Sequence, residues 1–151
     1  MHGACTLMRV LILCTGNSCW SQMAAGFLAS FDRNIDVHSA GTYPASYVQP
    51  KAIEVMKEAG VDISQAFPKG VELYLKQPFD YVITVCDDAN ETCPVFTGSV
   101  RRRLHMGFYD PSFSTGTEEQ KLAEFRRVRD QIRTRFEAFY RTELLPEMKS
   151  R

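Results

Sequence analysis

The 151-residue sequence contains no long apolar segment and no excess of charge of either sign. No hydrophobic run approaches the roughly 20 residues that a membrane-spanning helix needs, so the sequence predicts no membrane span. The 18 basic residues balance the 18 acidic ones, which removes any general electrostatic reason to expect binding to nucleic acid or to an anionic membrane surface. The short basic run at residues 101–103 is interpreted as a solvated turn.

Internal repeats, linkers and low-complexity tracts are also absent. A chain of this length can form one domain with a hydrophobic core and is too short for two ordinary domains. We expect an N-terminal extension at residues 1–7, a single domain at 8–145 and a C-terminal tail at 146–151. The apolar start is short, is interrupted by Arg9 and continues into a predicted strand, so it is not interpreted as a secretion signal. The sequence therefore favours a cytoplasmic protein, and we expect a monomer.

Strand and helix patterns alternate along the chain. A largely apolar run over residues 8–13 and a β-rich run over 81–86 predict buried strands, and weaker strands are predicted at 35–39 and 103–106. Apolar residues at helical spacing, with turn and capping residues at the ends, predict helices over 22–31, 50–59, 69–76 and 117–144. This alternation predicts an α/β fold, a three-layer sandwich around a central four-stranded parallel sheet.

The most informative segment lies between the first strand and the first helix, and it reads Cys-Thr-Gly-Asn-Ser-Cys-Trp-Ser over residues 14–21. A strand, a tight loop and a helix N-terminus arrange successive backbone N–H groups around one point, which favours a tetrahedral oxyanion. The predicted oxyanion-binding residues, called the anion loop below, are Thr15, Gly16, Asn17, Ser18, Cys19 and Trp20. Cys14 precedes them, and the helix dipole should lower the pKa of its thiol and make it a nucleophile.

Four of the five cysteines form two groups, Cys14 with Cys19 and Cys86 with Cys93. They could be reduced, partly buried small hydrophobes, or ligands of a structural zinc ion, or partners in a disulfide relay. The spacings of five and seven residues exceed those of most zinc knuckles and no histidine accompanies either pair, so no metal site is expected. In a parallel sheet, ligands bind beyond the carboxyl ends of the strands, where Cys14 and Cys86 both fall.

Residues 14–21 resemble the signature loop of the low-molecular-weight tyrosine phosphatases and of the thioredoxin-coupled arsenate reductases that share their fold. The pair Cys86 and Cys93, placed after a strand, resembles the reductases specifically. The resemblance implies a low-molecular-weight phosphotyrosine phosphatase-like fold and the reduction of arsenate to arsenite. By this resemblance Cys14 attacks arsenate, Cys86 attacks the Cys14 sulfur and releases arsenite, and Cys93 attacks Cys86, which leaves a disulfide for thioredoxin to reduce.

The same resemblance implies roles for several further residues. Asp110, followed by proline, matches the family's general acid, which protonates the departing oxygen. Ser21 matches the hydroxyl that activates the nucleophile, while Asn17 and Ser39 match polar residues that brace the loop. Cys19 is interpreted as a structural loop residue, and His38 and His105 as structural or surface residues.

Three positions depart from the family pattern, and one of them is Ala66, where the reductases often carry a histidine. The reductases often carry an acidic residue, associated with a bound potassium ion in some members, where Ala25 stands, so we expect no cofactor and no potassium site. At Trp20 the family has an arginine whose guanidinium makes two parallel hydrogen bonds to the oxyanion, whereas an indole offers one neutral N–H. We therefore expect reduced activity, because a lost oxyanion donor typically costs on the order of 10²- to 10³-fold in rate.

Two other functions stay open at this stage. One is a phosphatase of the same fold that hydrolyses small or protein phosphoesters. Residues 112–114, Ser-Phe-Ser, offer only one aromatic ring to clamp a phosphotyrosine, which weakens that interpretation. The other is a catalytically degenerate protein that binds an oxyanion or senses oxidation through Cys86 and Cys93.

Overall fold

The computed structural model describes residues 7–85, 95–108 and 115–151. Within these ranges the chain forms four strands, which are β1 (Met8–Cys14), β2 (Ile35–Gly41), β3 (Phe79–Thr84) and β4 (Val100–His105). They form one sheet in the order β2-β1-β3-β4, and every neighbouring pair is parallel. The predicted four-stranded parallel sheet is thus confirmed.

The helices lie between and after the strands. They are α1 (Trp20–Phe31), α2 (Pro50–Glu58), α3 (Glu118–Phe139) and α4 (Leu145–Ser150), with a 3₁₀ turn at Val71–Tyr74 and a π-helical turn at Tyr140–Leu144. Thr117 caps α3 in a capping box with Gln120, as its sequence predicts. None of the helices within the described ranges combines the length and apolar character that a membrane crossing requires.

Several strand boundaries differ from the prediction. The predicted strand at 35–39 continues to Gly41, and the one at 81–86 spans Phe79–Thr84 instead. The predicted strand at 103–106 is Val100–His105, so the basic run interpreted as a turn lies in β4. Its side chains are exposed because β4 is an edge strand of the sheet, where charged residues are tolerated and discourage further pairing.

Helix boundaries differ for local reasons. The first helix begins at Trp20, two residues before the predicted start at 22, and the helix predicted at 69–76 is only the 3₁₀ turn Val71–Tyr74. The long helix predicted at 117–144 continues through the π turn and α4 to residue 150. Pro146 lies at the start of α4, directly after the π turn. In a regular α-helix a proline ring clashes with the carbonyl four residues earlier, and the wider π turn accommodates the ring.

The sheet buries apolar side chains on both faces. Alternate residues of β1 supply both cores, with Val10 and Ile12 on one face and Leu11 and Leu13 on the other. The larger core also contains apolar residues from α1, α2 and α3, whereas the 3₁₀ turn and Phe96 contribute to the smaller one. Because β1 is buried between two neighbouring strands, its carboxyl end at Cys14 is held in a fixed position.

The last residues of the chain pack at the other end of the sheet. Arg151 forms an ion pair with Asp80 at 2.8 Å, and Asp80 also accepts a hydrogen bond from the Arg9 backbone N–H at 2.8 Å. Tyr81 donates to Glu147 at 3.2 Å. Residues 146–150 therefore lie in α4, and Glu147 and Arg151 contact β3 and β4.

Candidate functional site

Cys14 is the last residue of β1 and only 6% exposed. Its sulfur accepts a hydrogen bond from the backbone N–H of Asn17 at 2.9 Å and lies 2.9 Å from the hydroxyl oxygen of Ser21. Donors directed at a sulfur stabilise the thiolate relative to the thiol. The geometry at Cys14 is therefore that of an activated nucleophile at the carboxyl edge of the sheet.

The backbone of the anion loop is held from outside by the segment that follows β2. The carbonyls of Thr15, Gly16 and Ser18 accept hydrogen bonds from backbone N–H groups of residues 43, 45 and 49 at 2.8–2.9 Å. Because these carbonyls face outward, the N–H groups that follow them in the trans peptides face the opposite side. These are the amides of Gly16, Asn17 and Cys19, and with this orientation the loop presents amide donors to an oxyanion.

Asn17 differs from the other residues of the loop in its backbone conformation. It adopts a left-handed conformation with φ 52°, and it is the only described residue other than glycine that has a positive φ. Its side-chain oxygen accepts a hydrogen bond from the Lys69 backbone N–H at 2.9 Å, which fixes the orientation of the amide. Its Nδ2 consequently donates to the Ser21 hydroxyl at 2.8 Å. This leaves the Ser21 hydrogen free to be donated to the sulfur of Cys14.

Ser21 and Trp20 lie in the first turn of α1, directly after the loop. A helix of 12 residues carries a partial positive charge at its N-terminus, and this charge favours both a thiolate and a bound oxyanion there. Ser21 is fully buried, so its hydroxyl is shielded from water. The helix start thus contributes the dipole and one directed hydroxyl to the site.

Trp20 is buried, with 4% of its surface exposed, and it packs in the larger hydrophobic core. Its indole Nε1 is buried and has no hydrogen-bond partner among the described residues. An orphaned buried donor costs free energy, about 1–3 kcal/mol. The side chain thus contributes apolar packing and no positive charge at the start of α1.

The two predicted cysteine groups are related in the structure only through the pairing of two strands, β1, which ends at Cys14, and β3, which precedes Cys86 in the sequence. β3 lies beside β1, Thr84 is in register with Leu13, and the backbone N–H of Val85 donates to the Leu13 carbonyl at 2.8 Å. The chain therefore leaves β3 next to the strand end that carries Cys14. The predicted relay residues Cys86 and Cys93 and the predicted acid Asp110 lie outside the described residues.

The remaining predicted residues are placed as follows. Cys19 is buried, and its sulfur lies 3.9 Å from that of Met23. Ser39 is 2% exposed and lies within β2, two residues before its end. His38 pairs with Asp36 at 3.0 Å, and His105 lies 2.9 Å from the Thr84 hydroxyl. Across residues 7–85, 95–108 and 115–151, no group of three or more His, Cys, Asp or Glu side chains could hold a metal ion.

Sequence reasoning missed three residues that shape the loop. Gln22 donates hydrogen bonds to Asn17, and Lys69 contributes the backbone N–H described above. Gly41 passes so close that an added Cβ would lie 2.4 Å from the Thr15 carbonyl oxygen. No periodicity or motif marks these positions because their roles arise from contacts between distant parts of the chain. Gln22, Ser39 and Lys69 also line a cavity of about 410 Å³ behind the loop.

Comparisons with known proteins agree with this geometry. Residues 9–150 match the family model described as low molecular weight phosphotyrosine protein phosphatase. An arsenate reductase of Halalkalibacterium halodurans is 45% identical over 134 residues, which cover 88% of this chain and 95% of that protein. A solved arsenate reductase in the phosphate binding state superposes with a TM-score of 0.73 at 31% identity, over 88% of this chain and 96% of the other. A thioredoxin-dependent arsenate reductase of Corynebacterium glutamicum superposes with a TM-score of 0.56 at 26% identity, over 90% of this chain and 65% of the other.

Proposed function

Because the chain belongs to the low molecular weight phosphotyrosine protein phosphatase family, we propose that it is an arsenate reductase of that family, with Cys14 as the nucleophile and thioredoxin as the reductant. The observation that supports this most strongly is the pair of donors at the Cys14 sulfur, the Asn17 amide and the Ser21 hydroxyl, each 2.9 Å away. Several relatives named arsenate reductase share 40–45% identity over most of the chain, which favours this reaction over phosphoester hydrolysis.

The first step of the proposed reaction is an attack by the Cys14 thiolate on arsenate. A sulfur–arsenic bond forms and one arsenic–oxygen bond breaks, and Asp110 donates a proton so that the departing oxygen leaves as water. The amides of the anion loop and the N-terminus of α1 stabilise the negative charge on the remaining oxygens. Ser21 and Asn17 donate to the sulfur before the attack and hold it against the loop.

The second stage transfers two electrons from sulfur to arsenic. The Cys86 thiolate attacks the Cys14 sulfur, a disulfide forms between them, and the sulfur–arsenic bonding pair stays on arsenic, which leaves as arsenite. The Cys93 thiolate then attacks Cys86, releases the Cys14 thiolate and leaves a disulfide between Cys86 and Cys93. Thioredoxin supplies two electrons and two protons to restore both thiols. The protein acts as a monomer in the cytoplasm, where thiols stay reduced.

Trp20 sets the expected level of this activity. A buried indole supplies packing and no positive charge, so the loop amides and the helix dipole must stabilise the oxyanion without a guanidinium. We therefore expect turnover lower than that of a chain with arginine at this position by at least about 10²-fold. The same burial favours one second candidate, a catalytically degenerate protein that retains the redox-active pair Cys86 and Cys93.

The test is arsenate-dependent NADPH oxidation coupled through thioredoxin and thioredoxin reductase. It compares the parent chain with Trp20→Arg and with Trp20→Arg carrying Cys93→Ser. Turnover that rises with Trp20→Arg and is lost again with Cys93→Ser supports the reductase. Hydrolysis of p-nitrophenyl phosphate that is insensitive to Cys93→Ser would instead identify a phosphatase. If folded, reduced protein catalyses neither reaction and peroxide reversibly forms a disulfide in it, the result would identify the redox-sensing alternative.

A further inference from the structure

Gln22 has an unusual position among the polar residues near the site. It lies one residue after Ser21 in α1 and is 3% exposed. Its side-chain Nε2 lies within hydrogen-bond distance of three oxygens, the Asn17 carbonyl at 3.0 Å, the Asn17 Oδ1 at 3.1 Å and the Phe67 carbonyl at 3.0 Å. A buried amide that satisfies acceptors on two separate segments joins those segments rigidly.

The bond to the Asn17 carbonyl sets the orientation of the next peptide. In a trans peptide the C=O of residue 17 and the N–H of Ser18 point in opposite directions. Because Gln22 holds this carbonyl on its own side, the Ser18 N–H is directed to the other side, where the loop presents its amides. Gln22 therefore orients one of the amide donors of the anion loop without being part of that loop.

The same bonds maintain a strained conformation. A left-handed backbone costs a non-glycine residue about 1–2 kcal/mol and persists only where surrounding contacts impose it. For Asn17, with φ 52°, those contacts include the two bonds from Gln22. This conformation is what points the Asn17 backbone N–H at the Cys14 sulfur. Relaxation of Asn17 would remove that donor from the thiolate.

The Phe67 carbonyl, which accepts a hydrogen bond from Gln22, is also held in place. The Phe67 carbonyl that accepts from Gln22 accepts a second hydrogen bond, from the Lys69 ammonium at 3.0 Å. Burial lowers the pKa of Lys69 below its usual range. The Lys69 backbone N–H meanwhile donates to the Asn17 Oδ1, so residues 67–69 are bonded both to Gln22 and to the loop.

We infer that Gln22 is a positioning residue, which activates Cys14 by holding Asn17 in its left-handed conformation from behind the loop. The inference rests on the proposed function only in that Cys14 is the nucleophile. Gln22 does not touch the reacting atoms, and its effect reaches the sulfur through the Asn17 backbone.

The test measures the pH dependence of Cys14 alkylation by iodoacetamide, read by peptide mass spectrometry on fully reduced protein. Gln22→Met keeps a side chain of similar volume and removes both hydrogens, and it should raise the midpoint pH by about one unit through loss of one thiolate donor. Gln22→Glu should raise it further, because a carboxylate would face three oxygens. Gln131→Met, at an exposed position of α3, is the matched control and should leave the midpoint unchanged.

A purely structural role would lower the thermal midpoint of Gln22→Met without moving the alkylation midpoint of the folded protein, and that result overturns the inference. Should Gln22→Met fail to fold, NMR of the parent chain decides. The Gln22 side-chain amide protons should then exchange with solvent far more slowly than those of Gln131, and equal rates overturn the inference. Alkylation needs no arsenate, so the two proposals can fail separately. If Gln22→Met shifts the alkylation midpoint but the protein does not turn over arsenate, only the proposed reaction is refuted. An unshifted midpoint with intact turnover refutes only the role of Gln22.

Discussion

The backbone N–H of Asn17 reaches the sulfur of Cys14 at 2.9 Å because Asn17 adopts a left-handed backbone conformation. The two residues are three apart in the sequence, so the chain turns back on itself within one tight loop. Residues with a strained backbone are common at functional sites, where the surrounding contacts offset the cost of the strain. Here the stabilising contacts come from Ser21 and Gln22 in α1 and from Lys69.

Replacing Ser21 by alanine should reduce the reactivity of Cys14. The substitution removes the hydroxyl at the sulfur and leaves the buried Asn17 Nδ2 without its acceptor. We expect the alkylation rate of Cys14 at neutral pH to fall about tenfold, which corresponds to about one pKa unit. Ser30→Ala is the control, since Ser30 lies in the same helix and donates only to the Phe27 carbonyl. Equal rates in the two variants would contradict the assigned contact.

Gly41→Ala should destabilise the protein through the anion loop. An added Cβ would lie 2.4 Å from the Thr15 carbonyl oxygen, so either the end of β2 or the loop must shift. We expect a loss of unfolding free energy of about 2 kcal/mol or more, measured by urea denaturation. Gly16→Ala is the comparison, because its Cβ would meet only the Ser18 hydroxyl at 3.5 Å. A Gly41→Ala variant as stable as Gly16→Ala would contradict the close approach.

Trp20→Arg should lower the stability of the protein and raise its activity. The buried indole contributes to the larger core, so its loss should lower the unfolding free energy by about 1–3 kcal/mol. Phosphate or arsenate should recover part of this loss, since a guanidinium forms charge-assisted hydrogen bonds to the anion. Thermal unfolding with and without phosphate measures both effects. A larger phosphate-dependent stabilisation in the parent than in Trp20→Arg would show that the indole already supports anion binding.

Asp80 should contribute to stability only above acidic pH. Burial acts to raise the pKa of Asp80, but the Arg9 backbone N–H and the guanidinium groups of Arg151 and Arg101 outweigh it, and the net pKa is lowered. A carboxyl whose folded pKa is lowered stabilises the protein above its unfolded value of about 3.9, and this contribution is lost as the pH falls through the folded value.

Asp80→Asn should therefore be less stable than the parent at pH 7, and the difference should shrink as the pH falls below about 4. Urea denaturation at several pH values measures this convergence. Asp130→Asn, at an exposed carboxyl on α3, serves as the control and should differ little from the parent throughout. A constant difference between Asp80→Asn and the parent across the whole range would refute the ion-pair explanation.

The parts of the fold predicted best were those with a strong local signal. The continuous apolar run before Cys14 identified β1, and the capping box identified the start of α3. The poorest prediction concerned β4, because its exposed basic residues resemble a solvated turn until the sheet shows that they occupy an edge strand. Strand ends at Gly41 and Thr84 also depended on pairing with β1, which no local pattern reports.

The order of residues alone was enough to predict a nucleophilic cysteine, an amide-rich loop and a helix start, because these features are contiguous and depend on local backbone geometry. Only the folded chain showed that Trp20 packs in the core and that Gln22 and Lys69 converge on Asn17 from positions 5 and 52 residues away. Such contacts form when β1, α1 and the segment before β3 pack together, and their geometry depends on side-chain packing between distant segments. The types of chemical group at the site could therefore be predicted from a local segment of sequence, whereas their exact positions depend on the tertiary structure.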